Sequence, residues 1–304
     1  MFQHVAVKHK NLVVVRAGRA SLHPQWLVPS AERNWDIIVS VYDSTVEFET
    51  IDCVQLVYEK GGKWDGLYPL FADGKLLSRY EYIWLPDDDI ATDAKVIDQI
   101  FNTMRHYQLA VAQPSLSRNS YYSHFALLNC PEFSLRFSNF IEIMVPCVRS
   151  DVLRCVFGDI SESMSGFGLD YIWCRLEEDN RFKAAIIDDV SVHHTRPVGS
   201  ALRKNMSGKG ISAEAEEAQL QRIYNCHEHI RPLIYAALNK QQQILSGTKY
   251  LGWKMAFQYV RAYSDFNVQE SPFWKILQLI RRQMTREPTI SQLKRINEQN
   301  NKFS

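Results

Sequence analysis

Four apolar residues that run straight into three adjacent carboxylates constrain this chain more than any other stretch. Tyr82-Ile-Trp-Leu85 combines aromatic and β-branched residues, the composition of a strand covered on both faces. Pro86 cannot donate to a ladder and therefore marks the strand's end. Asp87, Asp88 and Asp89 then crowd three negative charges at the carboxyl end of that strand, where open α/β sheets bind ligands. Adjacent carboxylates repel unless water or a cation intervenes. One reading is that they hold a hard divalent metal, Mn²⁺ or Mg²⁺, which in turn holds a diphosphate. The plainer reading is helix capping. The triplet precedes Ala91–Tyr107, whose Val96, Ile97, Ile100, Phe101 and Met104 share one helical face, with Thr92 or Asp93 as N-cap.

Strand and helix patterns alternate through the first 200 residues, which predicts an α/β fold with a mixed sheet covered on both faces. The predicted strands are Asn11–Val15, Trp35–Tyr42, Asp52–Tyr58, the acidic strand, Leu109–Pro114, Phe140–Val145, Lys183–Ile187 and Val190–Val192. Helices are expected from Ser150 or Asp151 and over Tyr171–Glu178. After Ser200–Gly210, a basic, glycine-containing segment read as a mobile loop, the pattern turns helical, over Glu214–Leu238, Leu251–Tyr263 and Pro272–Met284. This divides the chain into a catalytic-type domain, 1–200, and a helical C-terminal region, 201–304, packed on or extending from it.

Composition removes several function classes. A net charge of +1 gives no overall field for nucleic acid. The six cysteines include no Cys-x-x-Cys pair, so neither a zinc site nor a disulfide framework is suggested. The N-terminus lacks the apolar core of a signal peptide, and no apolar run is long enough to span a bilayer. A cytoplasmic protein is expected. The segment Ser271–Ser304 carries seven Lys/Arg against two Asp/Glu, and Phe273, Trp274, Ile276, Leu277, Ile280 and Met284 can share an apolar face. Such a helix can touch an anionic membrane surface peripherally, or simply pack on its own domain.

Other candidate groups lie in loops. Arg16 and Gly18 follow the first strand. Lys63 sits in the turn Lys60-Gly-Gly-Lys-Trp-Asp-Gly-Leu and can meet phosphate or remain solvated. Gly166-Phe-Gly-Leu-Asp170 opens a helical run that Asp170 can cap. Val192-His193-His194-Thr-Arg-Pro197 places a histidine at a strand end, where it can be structural or can complete an oxygen/nitrogen ligand set.

Together these residues resemble a glycosyltransferase of the GT-A type, with an Asp-x-Asp motif at a strand end, a late histidine and a glycine–aromatic–glycine turn toward the acceptor. They resemble more closely an uncharacterised family catalogued as a domain of unknown function. Its four motifs stand here in order as Tyr80-Glu-Tyr-Ile83, Phe140-Ile-Glu-Ile-Met-Val-Pro146, Gly166–Asp170 and Asp188–Pro197. The likeness covers roughly 11–200, aligns the family's histidine with His194 and not His193, and replaces the more usual tryptophan with Phe167. It implies a GT-A-like, Rossmann-type sheet and a metal-dependent transfer of sugar from a nucleotide-sugar donor to a glycan or other hydroxyl acceptor. A bacterial surface polysaccharide is a natural acceptor that no residue assigns.

In that reading Asp87, Asp89 and His194 hold the metal. Asp88 binds ribose or sugar, and Arg16, Lys63 and Arg196 face the phosphates. Asp170 deprotonates or positions the acceptor, and Ser200–Gly210 closes as a lid. The competing functions are a non-catalytic nucleotide- or glycan-binding protein on the same scaffold and a metal-dependent hydrolase of a phosphorylated metabolite. The latter lacks a Walker-type loop or a His-Glu-x-x-His motif.

Overall fold

Every residue of β1, Asn11–Ala17, is buried, which an apolar strand achieves only between two neighbours with both faces covered. β1 pairs in parallel with β2 (Trp35–Val41) on one side and β4 (Tyr82–Trp84) on the other. The computed structural model describes residues 7–48, 55–199, 206, 208, 210–266 and 271–295. Within them an eleven-stranded sheet runs in the order β11-β10-β7-β9-β6-β8-β4-β1-β2-β3, with β5 joined to β9. The added strands are β3 (Gln55–Tyr58), β5 (Ile90–Ala91), β6 (Val111–Leu116), β7 (Phe133–Ser138), β8 (Cys147–Arg149), β9 (Ala184–His194), β10 (Ile234–Asn239) and β11 (Ile244–Ser246). β1–β4 and the β6/β9 pair are parallel, and the remaining pairings are antiparallel. The mixed α/β class expected from the alternating pattern is the one found.

The helix after the acidic turn spans Ala94–His106 and buries Ile97, Ile100, Phe101 and Met104. Asp93, not the triplet, caps it by accepting from the Val96 amide. The carboxylates of Asp87–Asp89 are therefore not consumed by capping.

Several expected elements differ. Phe140–Val145 is not a strand but an irregular connection between β7 and β8. Its amides are taken elsewhere: Ile141 donates to the Asp170 carbonyl, Glu142 to Gln113 Oε1 and Ile143 to Asp170 Oδ1. The two strands predicted on either side of Asp188-Asp189 are one, β9, whose pairing with β6 shifts register between Pro114 and Ser115. The helix over Tyr171–Glu178 shrinks to Leu169–Ile172 with a 3₁₀ turn to Arg175. The helix expected over Glu214–Leu238 stops at Ile223, and Ile234–Asn239 instead adds β10 antiparallel to β7. Part of the region after residue 200 thus completes the same sheet. The helices Thr248–Arg261 and Pro272–Thr285 appear close to where they were expected. Most of the predicted loop and lid, Ser200–Gly210, and the beginning of the Asp52–Tyr58 strand lie outside the described residues.

No disulfide joins any of the five described cysteines. No helix among the described residues is long and apolar enough to cross a membrane.

Candidate metal centre at the carboxyl ends of the central strands

The three aspartates form the turn between β4 and β5. Two backbone bonds hold its entrance, Leu85 N–H to Pro146 O and Asp87 N–H to Met144 O. At its exit β5 pairs antiparallel with the end of β9, placing Ile90 opposite His194 and Ala91 opposite His193. Thr195 closes the junction by donating its amide and its hydroxyl to the Asp89 carbonyl. A chain separation of more than a hundred residues is bridged by this two-residue strand.

Strand alternation decides between the histidines. His193 meets the Ser117 hydroxyl at 3.0 Å, on the face away from the aspartates. His194 is buried and turns Nε2 toward Asp89 Oδ2 at 3.1 Å. Its Nδ1 lies 3.0 Å from the Tyr121 carbonyl, which can only accept, so Nδ1 carries the proton. That carbonyl fixes ring and tautomer in the way metal-ligating histidines are oriented. Burial disfavours a charged His194, but the Asp89 hydrogen bond, the Asp89 charge, the Tyr121 carbonyl and Asp87 outweigh it, raising the pKa above the ordinary 6.5. Nε2 thus faces the Asp89 carboxylate and is the ring atom placed to serve as a ligand to a cation.

Ligand atoms of Asp87, Asp89 and His194 lie within 4.8 Å of one another. Asp89 Oδ1 is buried and has no hydrogen-bond partner among the described residues. An orphaned carboxylate oxygen costs free energy unless something fills its place. Two carboxylate oxygens and one imidazole nitrogen suit Mn²⁺, or Mg²⁺ with more water. The Asp87 side chain keeps 37% of its surface exposed, so the cluster opens to solvent on that side.

Cations flank the cluster. Lys63 Nζ, itself mostly covered, reaches Asp87 Oδ1 at 2.7 Å and the carbonyls of Ile143 and Met144 at 2.6 and 3.1 Å. Arg196 Nη2 meets Asp88 Oδ1 at 3.1 Å, and its Nε lies 3.6 Å from Asp89 Oδ2. Asp88 points the other way from its neighbours. Its Oδ2 accepts from the Gly18 amide at 3.0 Å and the Tyr42 hydroxyl at 3.1 Å, tying the ends of β1 and β2 to the acidic turn. A Cβ at Gly18 would come within 2.3 Å of the Tyr42 hydroxyl oxygen, so this packing requires glycine.

Arg16 is not in the cluster. Its guanidinium is buried and donates to Ser40 Oγ and to the carbonyls of Glu59, Gly61 and Gly62. It shapes the glycine turn that delivers Lys63 and has no donor directed at the aspartates. That turn also touches the Gly166–Asp170 motif. Gly166 has φ +69°, and a Cβ there would sit 2.2 Å from Trp64 Nε1.

Asp170 lies in the first turn after Gly168, buried, with Oδ1 accepting from Ile143 N–H at 2.9 Å. Its pKa is pushed up to about 8, chiefly by burial; the Ile143 bond opposes this and the charge of Glu142 adds to it. The segment 140–145 connects the two regions, since Ile143 offers its amide to Asp170 and its carbonyl to Lys63. Glu142 is buried beside them with both carboxylate oxygens outside good hydrogen-bond geometry. Burial raises its pKa, against the pull of Ser123 and His194.

Sequence reasoning missed Tyr42 and Tyr121. Tyr42 carried the available signal, standing at the end of the strand two removed from the acidic one. The Tyr121 contribution is a main-chain carbonyl, which no residue type announces.

No protein-family model matches this chain, and no curated protein matches it. Among solved structures the chain is similar to S. aureus TarS. A TarS 1–349 structure in complex with UDP-GlcNAc is 9% identical, covers 90% of this chain and 71% of that one, with a TM-score of 0.42. A structure of TarS 1–349 alone is 12% identical with a TM-score of 0.43, and one with UDP is 10% identical with 0.40, each covering 90% of this chain and 81% of its own. At these values the likeness assigns no function.

Proposed function

We propose that this protein is a metal-dependent glycosyltransferase, moving a sugar from a nucleotide-sugar donor to a hydroxyl acceptor. The observation that carries the reading is the convergence of Asp87, Asp89 and His194 within 4.8 Å, on elements brought together by a two-residue strand pairing. The buried, unpartnered Asp89 Oδ1 fits the same reading, because a ligand atom awaiting a cation is one reason such an oxygen survives.

A divalent ion held by these three residues would neutralise charge on the departing nucleoside diphosphate. The chain's own groups do the rest. Lys63 and Arg196 stand at the two sides of the cluster, already desolvated in part by their carboxylate partners, and supply further positive charge for phosphate oxygens. Asp88 keeps the β1 and β2 termini in place and has one oxygen within reach of Arg196, so donor binding can draw Arg196 away from it. Arg16 acts one step removed, by fixing the turn that aims Lys63. Asp170, with a pKa near the working range, is suited to take a proton from an acceptor hydroxyl.

The test is a thermal-shift series on the full chain with UDP-, GDP-, CDP- and TDP-sugars, each with and without Mn²⁺. A ligand at one hundred times its Kd stabilises by about 2.7 kcal/mol. One donor class is expected to stabilise only when Mn²⁺ is present, with slow donor hydrolysis and loss of both effects in Asp89→Asn. No stabilisation by any donor with Mn²⁺ would sink the proposal.

A further inference from the structure

Two helices near the C-terminus present an outer surface that nothing in the described chain covers. Thr248–Arg261 buries Leu251, Met255, Ala256 and Tyr259 and exposes Tyr250, Trp253 and Phe257. Pro272–Thr285 buries Ile276 and Leu279 and exposes Phe273, Trp274 and Leu277. The helices pack closely, as Gly252 shows: a Cβ there would meet Gln283 Cβ at 2.6 Å. The predicted single apolar face of the second helix is thus split, with one half in the core and the aromatic half outside.

Charge distinguishes this surface. Neither helix contains Asp or Glu. The first carries Lys249, Lys254 and Arg261, and the second Lys275, Arg281 and Arg282. On a chain whose net charge is only +1, this is a local concentration of positive charge. The cations accompany the aromatics: Lys254 lies 5.6 Å from the Tyr250 ring centre and Arg261 5.1 Å from that of Phe257. Exposed Trp, Tyr and Phe beside Lys and Arg, without acids, match a bilayer interface, where rings sit at headgroup depth and cations meet anionic lipid. The aliphatic Leu277, Val260 and Met284, also exposed, have no counterpart in a stacking surface for nucleic acid.

We propose that the Thr248–Arg261 and Pro272–Thr285 helices form a docking surface for a membrane carrying anionic phospholipid. The inference is independent of the metal centre. Each cation near such a surface contributes about five-fold to affinity, from about 1 kcal/mol apiece.

The chain supplies its own probe. Of its seven tryptophans, Trp253 and Trp274 are 57% and 64% exposed, while Trp26, Trp35, Trp64, Trp84 and Trp173 are at most 1% exposed. Full-length protein is mixed with phosphatidylcholine vesicles, with or without about one-third phosphatidylglycerol, and Trp emission and co-sedimentation are recorded. The expected result is a blue shift and sedimentation with the anionic vesicles only. The shift is expected to vanish in Trp253→Phe/Trp274→Phe, and affinity to fall about 25-fold in Lys249→Gln/Lys254→Gln, since two cations are lost. Circular dichroism confirms that these surface variants fold. No binding to either vesicle would overturn the proposal. So would a self-association that the tryptophan variant abolishes, or binding to a single-stranded oligonucleotide without vesicle binding.

Discussion

Arg136 and Asp188 form an ion pair with both side chains fully buried, and their separation tests how β9 is held in register. The pairing is bidentate, with Nε to Oδ2 at 2.6 Å and Nη2 to Oδ1 at 3.0 Å. The guanidinium also donates to the carbonyls of Ala126 and Leu128, and Asp188 Oδ1 accepts from the Cys130 amide. Burial disfavours charge on Arg136, yet Asp188 outweighs it and raises the guanidinium pKa. In Arg136→Met the carboxylate keeps one amide donor and no countercharge. Breaking a buried pair in this way costs about 3–5 kcal/mol, a large part of the ~5–15 kcal/mol available to a folded domain.

Arg136→Met/Asp188→Leu removes both charges. What it leaves is the Ala126 carbonyl without its donor and the Cys130 amide without its acceptor, while Tyr259 still reaches the Leu128 carbonyl at 2.8 Å. Its expected cost, about 1–3 kcal/mol for each of those two groups, is below the sum of the two single changes, because neither charge is left buried alone. Urea unfolding of the four proteins gives the cycle. Single variants that lose less than about 1 kcal/mol, or a double variant that loses the sum of the two, would refute this account of the pair. The consequence reaches the site, because Asp188 stands at the β6/β9 register shift and His194 is six residues farther along the same strand.

Other outcomes follow from particular contacts. The Asp170 carboxyl has a folded pKa of about 8 against an ordinary 3.8, so between those values the native state holds a proton that the unfolded chain has released. Its contribution therefore falls as pH rises, by up to ~1.4 kcal/mol per unit, and Asp170→Asn is expected to flatten that part of the stability–pH curve. An equal slope in both proteins would show that Asp170 ionises normally. Gly166→Ala drives a methyl group into the Trp64 indole at a positive φ and is expected to cost at least ~1–3 kcal/mol, measured as a lower urea midpoint. Asp93→Ala removes the N-cap of the Ala94–His106 helix and is expected to cost ~1 kcal/mol by the same measurement while leaving metal binding intact.

The strands β1, β2 and β4 were legible from their apolar centres, Leu12–Val15, Ile37–Val39 and Tyr82–Trp84, buried on both faces, and the helix over 94–106 because its apolar face has the right period. Phe140–Val145 carries the same apolar composition but is no strand. Its amides bond to Gln113 and Asp170, partners that composition cannot reveal. The helix prediction over Glu214–Leu238 failed because Leu233–Leu238 is a short apolar run that suits either state, and only the open edge of β7 makes it a strand. Within the candidate site, the three aspartates were legible as a local acidic run at a strand end, whereas His194 was separated from His193 only by the family resemblance, because the pairing of β5 with β9 that turns it toward Asp89 is not a local signal. Arg16 was assigned to phosphate because nothing local announces the carbonyls of Glu59, Gly61 and Gly62 that occupy it.

The central claim is that residues from β4–β5 and the end of β9 grip one divalent ion. Calorimetric titration of Mn²⁺ into the full chain, into His194→Gln and into His193→Gln tests it most directly. One site is expected in the parent protein, with affinity at least ~10-fold weaker in His194→Gln and unchanged in His193→Gln, because only His194 shares the Asp87–Asp89 face. Equal affinity in all three, or no binding in any, would contradict it.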